Sequence, residues 1–367
     1  MKKFPYRDMF FAALLGLVLS ASAAAQTATP TPRLEDQEIK IESRLVVIPV
    51  SVTDAGGNPV AGLNKNDFTV IEEGKRQQVD NVGSADVVPL QIALLFDVSA
   101  STDAMFRFQQ ETAAKFLSQV MKPIDRATIF TIGAQPRLVQ ARDTAENAAV
   151  SVKSVQPTKE QTAFYDSVKA ATEHLRKNAP QTSRKVMVVI SDGEDTNSEG
   201  VLSAIWKAER NIADNVQGAE LRALRVRARD TAKAQEQVRV LKALQDADTV
   251  FYSINPAGSS YQLNQLSQFG QDNMQRFASE TGGSAYLPKF LPVDTADSLM
   301  NSGNMKRNAA TLETIFRQLA NELRAQYLVQ YYSDAEFPEG RFVKLDVKLT
   351  NPGTNRLRAR QGYYVKN

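Results

Sequence analysis

The sequence predicts an α/β protein: a doubly wound, mostly parallel sheet flanked by a β-sandwich-like domain formed by N- and C-terminal strands. Two observations carry this. From Pro89 onward, apolar β-branched runs alternate with amphipathic stretches of crossover-helix length, the pattern of a parallel sheet covered on both faces. Before and after that alternation lie short strand-like runs separated by turn residues, so the two ends of the chain are expected to pair, with the α/β domain inserted between them. The chain divides accordingly into a signal segment (1–25), a linker (26–38), an N-terminal β segment (39–86), an α/β domain (87–325) and a C-terminal β segment (326–367).

At the amino terminus Lys2, Lys3 and Arg7 lead into an apolar stretch, 9–19, and then into small residues, 20–25. This is the layout of a secretory signal cleaved after Ala25. Its 11 apolar residues fall well short of the roughly 20 that span a bilayer. No Cys follows it, which excludes a lipoprotein anchor. The protein is expected to be exported, periplasmic or secreted to the cell surface, with no transmembrane segment after cleavage. Residues 26–37, rich in Thr, Pro and Ala, read as a tether.

The composition, 43% hydrophobic and 23% charged over 367 residues, excludes a wholly disordered chain. The formal charge of +3 falls to +1 once Lys2, Lys3, Arg7 and Asp8 leave with the signal, so no general basic field supports nucleic-acid binding. Zero Cys rules out disulfides, Cys-type zinc sites and thiol catalysis. The single His174 lies in a helical-looking stretch and reads as a surface or groove residue, which leaves a Ser-His-Asp triad without support.

Ordered structure is expected to begin near Ile39. Residues 45–53 are a β-branched run, 55–59 are dense in turn residues, and 68–72 and 77–82 supply further short strands. The α/β domain offers strands at 91–97, 127–133, 185–191, 249–254 and 284–287, and helices at 106–121, 163–177 and 272–281. Residues 203–246 exceed one crossover and read as an insertion of two helices, 205–216 and 219–244, broken at Gln217-Gly218. Within it Arg222, Arg225, Arg227 and Arg229 read as a solvated helix face. After a helix at 308–325, strands return at 327–332, 342–349 and 357–365, with Pro352-Gly353 as a hairpin turn between the last two.

The chemistry concentrates where the strand 91–97 ends in Asp97-Val98-Ser99-Ala100-Ser101. One carboxylate and two hydroxyls at the mouth of a buried strand begin a hard-cation site. Two further oxygens from later loops would complete an octahedral shell, and Thr162 and Asp192 are the candidates. Open α/β sheets gather ligands outside the carboxyl ends of their strands, where both Asp97 and Asp192 sit.

This pattern resembles the metal-ion-dependent adhesion site (MIDAS) of von Willebrand factor A (VWFA) domains: Asp-x-Ser-x-Ser, then a Thr, then an Asp-Gly after a later buried strand. Asp97, Ser99 and Ser101 fill the first motif, Thr162 the second and Asp192-Gly193 the third. Gln161 departs from the Gly that often precedes the Thr. Residues 52–54, 62–63, 66–70 and 72–75 near the start, with 327–332 and 358–364 near the end, resemble the bacterial VWFA-related group known mainly from acidobacteria. That likeness covers about residues 40–367 and implies a VWFA, Rossmann-like sheet with the site at one edge. It implies that Mg²⁺, or Mn²⁺ with Ca²⁺ less suited, is held either by Ser99, Ser101 and Thr162 with Asp97 and Asp192 mainly through water, the more electrophilic arrangement, or with direct ligation by Asp192, which would lower the pull on a partner. A partner protein's Glu or Asp would complete the shell. Asp103 is expected to cap a helix or stand in the second shell of the metal, Asp195 to stand in that shell or solvate its loop, and Glu194 to face water. The reading is a non-enzymatic, exported, metal-dependent protein-binding or cell-adhesion module. The alternative is an envelope scaffold with a vestigial or structural site; a metal-assisted hydrolase lacks a base, a triad and a phosphate loop. The sequence leaves the oligomeric state open.

Overall fold

The computed structural model describes residues 44–366 except 100–102, 159, 214, 257–264 and 294, and the side chains of 103–105 and 265–267 are not described either. The expected signal segment and linker, and Ser101, therefore lie outside the described residues.

The chain opens with β1 (Arg44–Thr53), β2 (Phe68–Glu72), β3 (Lys75–Gln77) and β4 (Val79–Ser84). The α/β domain follows as β5 (Leu90–Asp97), α1 (Asp103–Val120), β6 (Arg126–Ile132), β7 (Arg137–Asp143), α2 (Ala145–Ser154), α3 (Phe164–Asn178) and β8 (Arg184–Ile190). It continues with α4 (Glu199–Glu209), α5 (Gly218–Asp246), β9 (Thr249–Ile254), α6 (Gln265–Thr281), β10 (Ala285–Tyr286) and α7 (Ser298–Arg324). The chain closes with β11 (Tyr327–Ser333), β12 (Phe342–Leu349), β13 (Arg356–Ala359) and β14 (Gly362–Tyr364).

The central sheet has the order β10-β9-β8-β5-β6-β7, parallel except for the antiparallel edge strand β7. The two-residue period of β5 sorts its side chains: Ile92, Leu94 and Phe96 enter the core under α1, α2 and α7, while Ala93 and Leu95 enter the core under α3 to α6. Each fully buried Leu or Phe in these layers contributes roughly 1.5–3 kcal/mol. From β5 the chain moves first to β6 on one side and later to β8 on the other, so a topological switch point opens between the carboxyl ends of β5 and β8.

Strands from the two chain ends interleave in two four-stranded sheets, β13-β1-β11-β4 and β14-β12-β2-β3. Ile48, Val50, Val70, Tyr331 and Val343 fill the space between them.

Four details differ from the sequence expectation. An edge strand and a helix, β7 and α2, occupy 137–154, where no element was expected; β7 carries Arg137, Gln140, Arg142 and Asp143 and is mostly exposed or half-buried. The first helix of the long segment begins at Glu199, because the Asp166 carboxyl accepts from the Glu199 N–H at 2.7 Å. The expected strand 357–365 is two strands in different sheets: β13 pairs with β1, and β14 pairs with β12. Pro352-Gly353 thus turns the chain from one sheet to the other and makes no hairpin. At the crossing, a side chain on Gly362 would overlap Phe342 and the Val343 carbonyl oxygen.

The fourth difference is that α7 starts ten residues before the expected 308, through a polar stretch with little apolar periodicity. Its asparagines dock the preceding strap instead. Asn308 exchanges two hydrogen bonds of 2.8 Å with the Leu291 backbone, Asn304 donates to the Pro292 carbonyl at 2.7 Å, and Asn301 holds the Thr295 backbone at 3.0 and 2.7 Å.

Asp248 ties the α/β domain to the C-terminal strands. Its carboxyl accepts from Arg360 at 2.7 Å and from Lys366 at 2.6 Å. Burial opposes its ionisation, but the charges of Arg360, Lys366 and then Lys185 outweigh that and hold its pKa below the usual value. A depressed carboxyl pKa gives stability that is present above the unfolded pKa of about 4 and lost as pH falls through the folded value. Asp248→Asn should therefore lower the urea midpoint at pH 7 more than at pH 3; equal losses at both would show that the ion pairs do not act.

Candidate metal centre

Asp97 ends β5, and both its oxygens are engaged. Oδ1 accepts from the Ser99 N–H at 3.0 Å and from the Ser99 hydroxyl at 2.6 Å, and Oδ2 accepts from the Ser191 hydroxyl at 2.6 Å. Ser191, fully buried at the end of β8, is the residue sequence reasoning missed: a serine ending a strand carries no signal until the neighbouring strand is known. Its oxygen also accepts from the Gly193 N–H at 2.9 Å. One hydroxyl thus spans the switch point and aims the Asp192 loop at Asp97.

Three loops are knit together at this end of the sheet. The Thr158 N–H donates to the Val98 carbonyl at 2.6 Å, and the Ala163 N–H to the Gly133 carbonyl at 2.7 Å. Thr162 lies just before α3 and is buried. Its N–H donates to Thr196 Oγ1 at 2.9 Å, and its carbonyl accepts from the N–H groups of Thr196 and Asn197 at 2.8 and 3.0 Å. Asp97, Ser99, Thr162 and Asp192 are thereby gathered on the loops at the carboxyl edge of β5 and β8. Ser101 lies outside the described residues. Asp103 is the first residue of α1, with a side chain that is not described.

Asp195 does not solvate its loop. It is 2% exposed and accepts from the N–H groups of Tyr165 at 3.1 Å and Ser198 at 3.2 Å and from the Ser198 hydroxyl, so it ties the starts of α3 and α4 together beneath Thr162. Burial raises its pKa, against those hydrogen bonds. Lys233, from the long helix α5, donates to the Asp195 carbonyl at 2.8 Å. Glu194 is half-buried, and its negative charge reaches both Asp97 and Asp192. His174 packs edge-on to Phe130 and takes no part here.

Gly193 has φ 75°, and a side chain there would run into the Gly270 carbonyl oxygen of α6; a side chain on Gly270 would run into the Asp192 carbonyl. The Asp192 turn therefore rests backbone to backbone on α6. Gly193→Ala should cost about 1–3 kcal/mol and displace the Asp192 loop. A thermal melt within about 1 °C of the parent would contradict this packing.

The charge balance is uneven. Burial, and then the charge of Asp97, push the Asp192 carboxyl up to about 6. Burial likewise raises Asp97, with the charge of Glu194 adding to it and the hydrogen bonds from Ser191 and Ser99 opposing it. Among the described residues no Lys, Arg or His forms an ion pair with either. No cluster of three or more Asp, Glu or His suited to a metal occurs among them either, so any cation here would lean on hydroxyls. The donor set fits a small hard divalent ion: two carboxylates short of positive charge, and a Ser99 oxygen with lone pairs left after its proton goes to Asp97.

Residues 92–194 match the von Willebrand factor type A domain family. No curated protein matches the chain. Among solved structures, it is similar to proximal thread matrix protein 1 from the mussel byssus, at 12% identity over 69% of this chain and 50% of that one, with a TM-score of 0.41. The chain thus spans half the length of that protein, whose structure is also known with a zinc-occupied MIDAS motif (12% identity, 69% and 50% covered, TM-score 0.37). The PilB minor pilin from Streptococcus sanguinis is similar at 12% identity over 66% of this chain and 63% of that one, with a TM-score of 0.41. The family match spans β5 to the Asp192 turn, so the stretch that builds this site is the part of the chain that matches the von Willebrand factor type A domain.

Proposed function

We propose that this is an exported module that binds a divalent cation, foremost Mg²⁺, at Asp97, Ser99, Ser101, Thr162 and Asp192, and through it captures an acidic side chain of a partner protein. The observation that carries this reading is the pair of half-buried carboxylates, Asp97 and Asp192, close enough for the charge of Asp97 to raise Asp192 and without a basic ion-pair partner among the described residues. Ser99, Ser101 and Thr162 would ligate as neutral oxygens, and Asp97 and Asp192 would hold ligated water. When bound, the cation supplies residual positive charge and an open position for a carboxylate. Asp195, Ser198 and Ser191 hold the three loops in place, so the site changes little when a partner arrives. Among the described residues nothing at the site pairs an acid and a base around a reacting bond, which favours binding over turnover. Among the described residues no helix is long and apolar enough to cross a membrane.

The test is a melt of the purified protein in Mg²⁺, Mn²⁺ or EDTA, with and without a Glu-containing peptide. Mg²⁺ should raise the melting temperature, the peptide should raise it further only in metal, and Ser99→Ala and Thr162→Ala should each lose most of both rises. A peptide effect that survives EDTA would refute metal-mediated capture.

A further inference from the structure

A second site lies at the opposite end of the sheet. A cavity of about 490 Å³ opens between the amino ends of β8 and β9 and the sandwich strands β1, β11 and β14. That volume is in the range of small-molecule pockets, and the seam between two structural units is a common place for one. Since β8 separates it from the Asp192 turn, the cavity lies roughly 20 Å from the candidate metal centre.

Its charges do not balance. Arg44, Arg184, Lys185, Arg360 and Lys366 line it, and Asp248 is the one carboxylate in the lining. Asp248 is shared between Arg360 and Lys366. Arg184 is turned to the Leu323 carbonyl and the Gln326 side chain, both at 2.9 Å. Arg44 and Lys185 make no ion pair among the described residues. Burial lowers the pKa of Lys185 and of Arg184.

The unmet hydrogen bonds point the same way. Four buried atoms of residues that line the cavity lack a partner among the described residues: Arg44 Nη1, Arg184 Nε, Arg360 Nε and Gln245 Nε2. All four are N–H donors, so what would satisfy them is a group of acceptors. Gln245, at the end of α5, is only 7% exposed, and a buried amide with an unmet donor is unfavourable. Apolar side chains line it too, with Leu45, Val47, Pro49 and Leu328 on the sandwich side and Val186 and Val250 on the other, beside uncharged polar residues such as Thr249 and Gln330.

We propose that this cavity binds a small amphiphilic anion, a carboxylate or phosphate headgroup joined to an apolar chain. The headgroup oxygens accept from Lys185, Arg44 and Gln245, and the chain lies along the valines and leucines of the seam. Because the pocket is walled by both the sheet and the sandwich, the ligand fastens the two together.

The test is calorimetric titration of the protein in EDTA, so that carboxylate capture by a metal plays no part. The probes are laurate, dodecyl phosphate, inorganic phosphate and dodecanol. One of the two amphiphilic anions should bind at a single saturable site, at least tenfold tighter than inorganic phosphate or dodecanol, and which one binds identifies the headgroup. Lys185→Met should weaken it at least tenfold and Gln245→Leu at least threefold. Gln245→Leu should melt at or above the parent temperature without ligand, since it removes an amide donor the cavity leaves unmet, and Lys185→Met should stay folded and lose only the support that the Lys185 charge gives Asp248. No saturable binding of either anion, equal binding of dodecanol, or unchanged affinity in folded Lys185→Met and Gln245→Leu would overturn the proposal.

Discussion

Asp97→Asn is expected to melt at the same temperature in Mg²⁺ and in EDTA, while the parent gains roughly 5–10 °C from the metal. The gain follows from linkage: a ligand that binds only the native state at about a hundred times its dissociation constant adds about 2.7 kcal/mol, which moves the midpoint of a domain of this class by several degrees. The substitution should act with opposite sign when metal is absent. Asp97 and Asp192 repel one another in a buried setting, and Glu194 adds to the repulsion. An amide at position 97 removes that repulsion and still accepts from a Ser99 or Ser191 hydroxyl. Metal-free Asp97→Asn should therefore match or exceed the metal-free parent. If it is instead less stable than the parent in EDTA, the hydrogen bonds at Asp97 outweigh the repulsion, and the carboxylate pair loses its standing as the mark of a cation site. A parent protein that gains nothing from millimolar Mg²⁺ or Mn²⁺ would count against the binding function itself.

What could be read in the sequence divides along a physical line. Apolar runs that fill a parallel sheet are legible because both faces are buried: β5, β6, β8 and β9 fall within a residue of their expected spans. The ends of such strands are fixed with them, so the apolar pattern alone puts Asp97 and Asp192 on one edge. Signals that depend on a neighbour were silent. Ser191 matters only because β8 lies beside β5, and Gly270 only because the Asp192 turn presses on α6. Within α6, that glycine reads as nothing more than a weak helix former.

The same line explains the misplaced elements. β7 is an edge strand with one neighbour, so charge along it is tolerated and the alternation that marks a half-buried strand fades. The early turns of α7 are set by asparagine hydrogen bonds to a strap, which leave no 3.6-residue apolar period. The terminal run 357–365 keeps strand composition through the Arg360-Gln361 crossing. Nothing in composition says that β13 belongs with β1 and β14 with β12.

Glu72→Ala is expected to destabilise the protein by about 3–5 kcal/mol, the largest single loss foreseen outside the apolar cores. Glu72 ends β2 with its side chain 1% exposed, inside the sandwich. One carboxyl oxygen accepts from the Tyr331 hydroxyl at 2.7 Å and the Tyr363 hydroxyl at 2.8 Å, and the other accepts from the Ser333 hydroxyl at 2.7 Å. Tyr331 and Ser333 belong to β11 in the opposing sheet, so this carboxyl joins the two sheets through the core. Alanine would leave a cavity and three hydroxyls without their acceptor, in a place closed to water. Glu72→Gln keeps one oxygen for the two tyrosines and offers its amide to Ser333, whose hydroxyl can turn to accept, so it should stay within about 1 kcal/mol of the parent. The alternation of the strand explains why Glu72 is inside while Glu73, next to it at φ 46°, receives the Lys344 N–H at 2.7 Å. Because Glu72 and its partners lie 259 to 291 residues apart, the contact closes a long loop, whose entropic cost the rest of the fold must offset. Urea denaturation of the two variants decides the matter: a Gln variant as damaged as the Ala variant would mean that the charge of Glu72, rather than its acceptor geometry, holds the sheets together.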